Sequence, residues 1–257
     1  MTSAAPPGHS GIALVTGAAQ GIGRACALRL AADGHTVAVN DVTDDGRLSE
    51  LAERIGGIAA PADIADPAAV AAMLDRLRRL AGPVEVLVAN AATMSMGPFL
   101  DQKPEDWWHQ IEVNLSGHFR VVQAVLPGMR ALGHGRIVVI ASEWGVIGQR
   151  NATAYAASKA GLIALAKGLA RELGPQGIRT NCVAPSYVDT DQLRVDAADA
   201  GVTLEEMRAR YRRLMPVGRL AEPVDIAATV AFLASPGAGA ITGQILQPNG
   251  GSTRARA

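Results

Sequence analysis

The chain has 257 residues, 24 Lys and Arg against 24 Asp and Glu, and a formal net charge of zero; 49% of its residues are hydrophobic, 19% charged and 4% aromatic. It is too apolar and too weakly charged to stay disordered, and with no basic run it offers no footprint for nucleic acid or for an anionic membrane surface. The length suits one large α/β domain with a substantial core.

In chain order, short apolar runs alternate with helical patterns. Residues 12–16 form a strand that runs into glycines, 24–33 are Ala- and Leu-rich with helical spacing, and 36–40 form a second strand. Helices over 47–56 and 67–81 flank a weak strand at 58–61, and 84–90 is a strong strand. Residues 104–132 read as a long helical stretch, interrupted or bent at Pro127 and Gly128. The β-branched run at 136–141 is a buried strand. A long helix over 153–173 ends at Gly174 and Pro175, 178–183 form a strand, 223–233 a helix and 241–246 the last strand. This alternation predicts one doubly wound Rossmann-type α/β domain over 11–251, with a parallel sheet covered by helices on both faces. Residues 1–10 and 252–257 read as flexible tails. The polar stretch 186–219, with a helical patch at 203–215, breaks the rhythm at the carboxyl edge of the sheet, where ligands bind in such folds, and reads as a substrate-binding lid.

Cys26 and Cys182 lie far apart, show no zinc-ligand spacing, and read as small buried residues of a reducing, cytoplasmic compartment. No metal site is expected. The opening MTSAAPPGHS has neither the basic nor the apolar region of a secretory signal. No apolar run reaches the roughly 18 residues of a membrane span.

After the first strand comes Thr16-Gly17-Ala18-Ala19-Gln20-Gly21-Ile22-Gly23, followed by a helix. Glycines let the backbone turn tightly and approach a ligand, and the helix start offers free N–H groups to a pyrophosphate. The second strand ends at Asp41, about 20 residues beyond the loop, where a carboxylate accepts from both ribose hydroxyls and repels a 2′-phosphate. With neutral Gln20 in the loop, this favours NAD over NADP; Arg24 and Arg47 nearby leave NADP open. Asp63, after the third strand, is a candidate cap for the adenine amino group.

Tyr155 and Lys159 stand at i and i+4 near the start of a long helix, on one face. A free phenol is a poor base, and a neighbouring ammonium favours the phenolate and lowers its pKa. Ser142 ends the preceding strand at the same sheet edge, placed to hydrogen-bond the carbonyl oxygen that Tyr155 protonates.

With these residues in view, the chain resembles the short-chain dehydrogenase/reductase family from about Gly11 to Gly251. The matching motifs are the glycine loop, Asn90-Ala91-Ala92 after the fourth strand, Asn114, Ser142, Tyr155-x-x-x-Lys159 and Asn181-x-x-x-Pro185. The resemblance implies a seven-stranded sheet, a nicotinamide cofactor and, often, a homotetramer. It makes Tyr155 the general acid/base and Lys159 the group that binds the nicotinamide ribose. Ser142 then positions the carbonyl oxygen, and Asn114 holds a water that links Lys159 to solvent. Asn90 lies near the adenosine ribose, Ile64 flanks the adenine, Val188 lies beside the nicotinamide amide, and Thr190 contacts the carboxamide or phosphate. Three positions depart from the family pattern: Ala92 and Ser186 where glycine is usual, and Asn249 where aspartate is usual.

For the substrate wall the sequence offers Thr93, Met94 and Met96 after the fourth strand, and Trp144, Ile147 and Gln149 after Ser142. Tyr187, Leu193, Tyr211 and Met215 join from the lid. Such a wall suits a small or medium ketone or secondary alcohol. Glu143 either meets a polar or cationic group there or, by strand alternation, points away. Three readings stand: an NAD-dependent dehydrogenase of a secondary alcohol or ketone, a 3-oxoacyl thioester reductase, and a non-catalytic dinucleotide-binding regulator. Arg208, Arg210, Arg212 and Arg213 in the lid would suit the second as a docking face; Asp41 weighs against its use of NADPH. The Ala- and Leu-rich helices at 104–132 and 153–173 are the expected subunit interface.

Overall fold

The computed structural model describes residues 11–253; the tail expected at 1–10 and the end of the tail expected at 252–257 lie outside the described residues. Continuous apolar runs suit parallel strands covered on both faces, and the strands β1 (Ile12–Thr16), β2 (Val37–Asn40) and β4 (Val84–Ala89) are buried at every position. With β3 (Ile58–Ala59), β5 (Gly135–Ile140), β6 (Ile178–Val183) and β7 (Ile245–Leu246) they form one seven-stranded sheet, ordered β3-β2-β1-β4-β5-β6-β7. All six pairings are parallel. The strand order reverses between β1 and β4, and in such sheets a crevice opens beyond the carboxyl ends at that point.

Side-chain alternation along the strands divides the core in two. Leu14, Leu87, Ile137 and Val139 face a layer that includes Val70, Leu77, Val121, Val125 and Leu162. These come from α3 (Pro67–Ala81), α5 (His118–Leu132) and α7 (Thr153–Leu173). Val15, Val86, Val88 and Val138 face the opposite layer, with Leu30, Leu48, Ile226 and Val230. Those belong to α1 (Gly21–Ala32), α2 (Arg47–Arg54) and α10 (Pro223–Ala234). Among the described residues, no helix is long and apolar enough to cross a membrane.

The stretch 104–132 departs from its reading. Helix α4 (Pro104–Ile111) passes into a π-helical turn, Glu112–Gly117, and then into α5, which runs through Pro127 to Leu132. Pro127 lacks an N–H, but Val125 and Met129 beside it are buried and hold the helix together. The irregularity lies instead at the wide turn that carries Asn114. The last strand is shorter than the predicted 241–246. Gly243 takes φ +71°, and Thr242 meets Thr180 through its side chain, so ladder pairing begins only at Ile245. A four-residue helix α6 (Trp144–Ile147), unforeseen in the sequence, follows β5.

The stretch 186–219 folds into two short helices, α8 (Gln192–Asp199) and α9 (Leu204–Arg212). Thr203 and Glu206 close a capping box on α9, and the patch predicted over 203–215 is helical only to Arg212. This segment has its own small core of Leu193, Ala197, Met207, Met215 and Leu220.

His118 opens α5 fully buried, and desolvation, followed by the charge of Lys159, drives its imidazole down to about 3. The unfolded chain takes up that proton near pH 6.5, so between about 6.5 and 3 the unfolded state binds more protons and stability falls as the pH falls. We expect His118→Leu to flatten the acid side of the stability profile by up to about 1.4 kcal/mol per pH unit in that window. Urea unfolding at a series of pH values measures it; an unchanged slope refutes the assignment.

Candidate active site

The two strand ends at the reversal are tied together by a compact set of hydrogen bonds. Thr16 Oγ1 accepts from the N–H groups of Asn90 (3.0 Å) and Ala91 (3.1 Å), while Asn90 Nδ2 donates to the carbonyls of Thr16 and Gly17, each at 3.0 Å. The glycine loop can lie this close only because side chains are missing. Gly17 has φ +64°, and a Cβ on Gly23 would lie 2.0 Å from the Gly17 carbonyl oxygen. A Cβ on Gly21, at φ +54°, would project towards Thr190. Gln20 gives α1 no side-chain cap, so the first-turn N–H groups are open where Gly21 and Ile22 line a cleft of about 580 Å³. These features fit the phosphates of a dinucleotide, with negative charge at the positive end of α1.

Asp41 sits at the next wall of the cleft, its carboxylate accepting from Ala19 N–H (3.0 Å) and Val42 N–H (2.9 Å). Buried Asn40 fixes that corner by donating to the carbonyls of Ala60 (2.9 Å) and Ala62 (3.0 Å). Arg47 donates to Gln20 Oε1 at 2.7 Å and grips Asp45 through Nε and Nη2 at 3.0 and 2.7 Å. Asp63 accepts from Ala65 N–H at 2.8 Å and lines the cleft beside Ile64.

Tyr155 and Lys159 stand on α7, facing Ser142 at the end of β5. Lys159 is 1% exposed; its Nζ donates to the Ile140 carbonyl at 2.8 Å and lies 5.4 Å from the centre of the Tyr155 ring. Ser142 Oγ accepts from Trp144 N–H at 3.1 Å, and the Ser142 hydroxyl hydrogen-bonds the Tyr155 phenol. The lowered phenol pKa expected from the lysine is not found. Burial pushes Tyr155 up to about 12 against the pull of Ser142, because the ammonium is aimed at Ile140 and not at the phenol. Burial also drives Lys159 down to about 8. Asn114 is fully buried on the π turn and lies outside the cleft lining. Its side chain pairs with the Thr93 backbone, 2.8 Å in both directions, and donates to Ser158 Oγ at 3.3 Å. The amide therefore braces the loop after β4 against α7.

Gly17, Gln20, Gly21, Ile22, Asp41, Asp63, Ile64, Asn90, Ala91, Pro185, Val188 and Thr190 all line the same cleft as Ser142, Tyr155 and Lys159. Gly23 does not, because it packs under the loop. At the other end, Met94, Trp144, Tyr187 and Tyr211 line the cleft, as do Thr93 and Leu193. Tyr187 and Tyr211 stack with centroids 4.0 Å apart, and Trp144 meets Tyr187 and Tyr155 edge-on at 6.1 and 5.9 Å. Gln149 stands off the cleft beyond α6, since that helix turns the chain away. Met96 and Ile147 are exposed, and Met215 is buried in the small core of the lid. Glu143 lies behind the wall, not in it. Arg208 turns inward onto Asp189, at 2.9 and 3.2 Å, and Arg212 pairs with Glu205, which reduces the arginine face expected on the lid.

Among the cleft groups that escape sequence reading are His109 and Asp196. His109 comes from α4. Asp196, on α8, has its carboxyl raised by burial and accepts from Gln192 Nε2 (3.1 Å) and the Tyr211 hydroxyl. The i, i+4 spacing of Gln192 and Asp196 was the only hint; Tyr211 reaches them through the fold of the lid.

A family model described as enoyl-(acyl carrier protein) reductase matches residues 17–253. The chain is 40% identical over 242 residues to the 3-oxoacyl-(acyl-carrier-protein) reductase FabG of Escherichia coli, covering 93% of this chain and 96% of that protein. It is 38% identical over 242 residues to an acetoacetyl-CoA reductase of Rhizobium meliloti, covering 94% and 98%. A 3-oxoacyl-(acyl-carrier-protein) reductase of Staphylococcus aureus is 37% identical over 244 residues, covering 93% and 96%.

The packing under the loop sets a test. Gly23→Ala forces a Cβ into the Gly17 carbonyl, so we expect dinucleotide affinity to fall by at least about tenfold and stability by about 1–3 kcal/mol. Fluorescence titration with NADH and urea unfolding measure both; wild-type values for both would refute the close approach.

Proposed function

The chain belongs to the short-chain dehydrogenase/reductase family, and we propose that it reduces the 3-oxo group of an acyl thioester with a nicotinamide dinucleotide, NADH in preference to NADPH. What carries the reading is the meeting of Ser142, Tyr155 and Lys159 in one cleft with the open first turn of α1. The chain is also alignable over nearly its whole length with reductases named for 3-oxoacyl and acetoacetyl thioesters.

When bound, the dinucleotide supplies hydride to the carbonyl carbon. Gly21, Ile22 and Thr190 would hold its phosphates, and Asp41, Asp63 and Ile64 its adenosine. Ser142 orients the carbonyl oxygen. Tyr155, a phenol that is protonated at neutral pH, donates its proton to that oxygen, and the ketone becomes a secondary alcohol. Lys159, anchored on Ile140, keeps two N–H donors for a ribose hydroxyl. Asn114 keeps α7 in place against the loop after β4. The preference for NADH rests on Asp41, whose backbone hydrogen bonds hold a negative charge where a 2′-phosphate would sit. Arg47 opposes it, but its guanidinium is already engaged by Asp45 and Gln20.

One observation supports a second reading, a dehydrogenase of a small polar secondary alcohol. Asp196 and Tyr211 place a hydrogen-bonding carboxylate–phenol pair at the substrate end of the cleft, where a plain acyl chain offers no partner. The intact set of Ser142, Tyr155 and Lys159 weighs against a non-catalytic regulator. The proposal includes a homotetramer joined through residues 104–132 and 153–173, where Trp108 and Phe119 are 63% and 49% exposed. It also includes a cytoplasmic site of action, which the free, buried Cys26 and Cys182 support.

Rates of NADH and NADPH oxidation with acetoacetyl-CoA, compared with a panel of small ketones and secondary alcohols, test the reading. We expect acetoacetyl-CoA to give the higher kcat/KM; a preference for a small ketone or alcohol sinks the thioester assignment in favour of the second reading. Tyr155→Phe is expected to lower kcat by about 10²–10⁴-fold, and turnover that survives it excludes Tyr155 as the acid. Asp41→Ala is expected to shift the NADH/NADPH ratio of kcat/KM towards NADPH by about tenfold or more; an unchanged ratio removes Asp41 as selector.

A further inference from the structure

Directly after Ser142, Glu143 is buried to 2% exposure. A buried carboxylate is costly unless hydrogen bonds satisfy it. Here three hydroxyls and an amide do so. Oε2 accepts from Ser186 Oγ. Oε1 accepts from Ser252 Oγ, from Thr253 Oγ1 and, at 3.5 Å, from Asn249 Nδ2. These donors come from two separate segments, the loop after β6 and the C-terminal stretch 249–253. The Glu143 backbone adds another link, its N–H donating to the Pro185 carbonyl at 2.8 Å.

Each segment has a second attachment. Residues 142–144 carry Ser142 and Trp144, and Trp144 N–H donates to Ser142 Oγ. Pro185, Ser186 and Tyr187 line the facing wall of the cleft. The C-terminal stretch reaches the downstream end of the lid: the Gly250 carbonyl accepts from Val217 N–H at 3.0 Å. A Cβ on Gly251 would meet Pro216 at 3.3 Å. Two of the three positions that depart from the family pattern, Ser186 and Asn249, are among the donors to this one carboxylate.

We propose that Glu143 is a positioning residue, a latch that clamps the Ser142 turn, the 185–187 loop and the C-terminal segment into one unit and thereby holds the Ser142 hydroxyl at its working place. Each donating hydroxyl has a single hydrogen, and aiming it at the same carboxylate sets the spacing of its segment from the Ser142 turn. Glutamine fits the volume, but it removes the charge and turns an amide donor towards one side, so a hydroxyl there must reverse to accept and the charge-assisted bonds of the latch are lost. The C-terminal stretch is on this view a part of the catalytic wall and not a trailing end.

The inference rests on Ser142 acting in the proposed reaction, and the experiment separates the two. With acetoacetyl-CoA and NADH as probes, Glu143→Gln is expected to lower kcat by about 10- to 100-fold, with the NADH dissociation constant within about twofold of wild type. In a Ser142→Ala background the same change is expected to cost nothing further. Amide hydrogen exchange of the apoprotein should speed up together at 142–147, 185–187 and 249–253. The milder Ser252→Ala/Thr253→Val pair, which leaves the carboxylate intact, should reproduce the loss in part and raise exchange in the same three segments. A loss in kcat that multiplies with that of Ser142→Ala, or faster exchange confined to one segment, overturns the latch. A Ser142→Ala enzyme as active as wild type, or no turnover of the probe, overturns the reaction reading; the exchange measurement then still decides whether the three segments move as one.

Discussion

The cleft depends first on the hydrogen bonds that join Thr16 to Asn90 and Ala91 where the strand order reverses. Neighbouring parallel strands are normally coupled through their ladder, but beyond the last ladder pair the two chain ends must leave on opposite sides of the sheet. Without a tie, the glycine loop and the loop after β4 would each be an ordinary surface turn. Thr16 and Asn90 supply that tie with both side-chain and backbone groups, and Gly17 and Gly23 allow the approach it requires. The open first turn of α1, and with it the fit for a dinucleotide, follows from this junction.

Three buried polar groups around the site are each stabilised in a different way. Lys159 loses much of its hydration, so its pKa falls to about 8, and it keeps one firm bond to Ile140. His118 discards its charge altogether. Glu143 keeps a full set of neutral donors. These solutions have different consequences. A partly neutralised lysine can respond to a bound ligand, a neutral histidine makes the fold sensitive to acid, and a carboxylate surrounded by hydroxyls fixes geometry. Desolvation acts on Tyr155 as well, raising its phenol to about 12 and making it hold its proton more tightly.

Much of this architecture is readable from sequence because local and global signals agree. The strands at 12–16, 84–90 and 178–183 are short apolar runs between turn signals, and they sit within a residue of their predicted bounds. The i, i+4 spacing of Tyr155 and Lys159 and the strand-end position of Ser142 need no long-range information either. What escaped detection depends on contacts between distant segments. Pro127 was read as an interruption because its own chemistry says so, while the packing around it overrides that preference. The Tyr155 phenol stands raised because burial outweighs Ser142, and local spacing does not show how deeply a side chain is packed. For Glu143 the sequence offers a polar partner in the pocket or, by strand alternation, a side chain pointing away; it does point away, but onto partners 43 to 110 positions distant that no local pattern shows.

The substrate end follows from the same distinction. Along the sequence, 186–219 is a polar interruption, and its arginines suggest a basic docking face. In three dimensions it is a small folded unit with its own apolar core, and Arg208 serves to pin it to Asp189. Because that core holds α8 against α9, Asp196 meets Tyr211, and Tyr211 stacks on Tyr187 over Trp144. The wall opposite Tyr155 is thus aromatic and carries the partly desolvated carboxyl group of Asp196. Under the proposed reaction this carboxyl group, already engaged by Gln192 and Tyr211, is a point where a substrate donor adds a bond and a purely apolar chain adds none. Selectivity at this end therefore depends on the lid staying folded, and the lid is held at its downstream end by the segment that Glu143 secures.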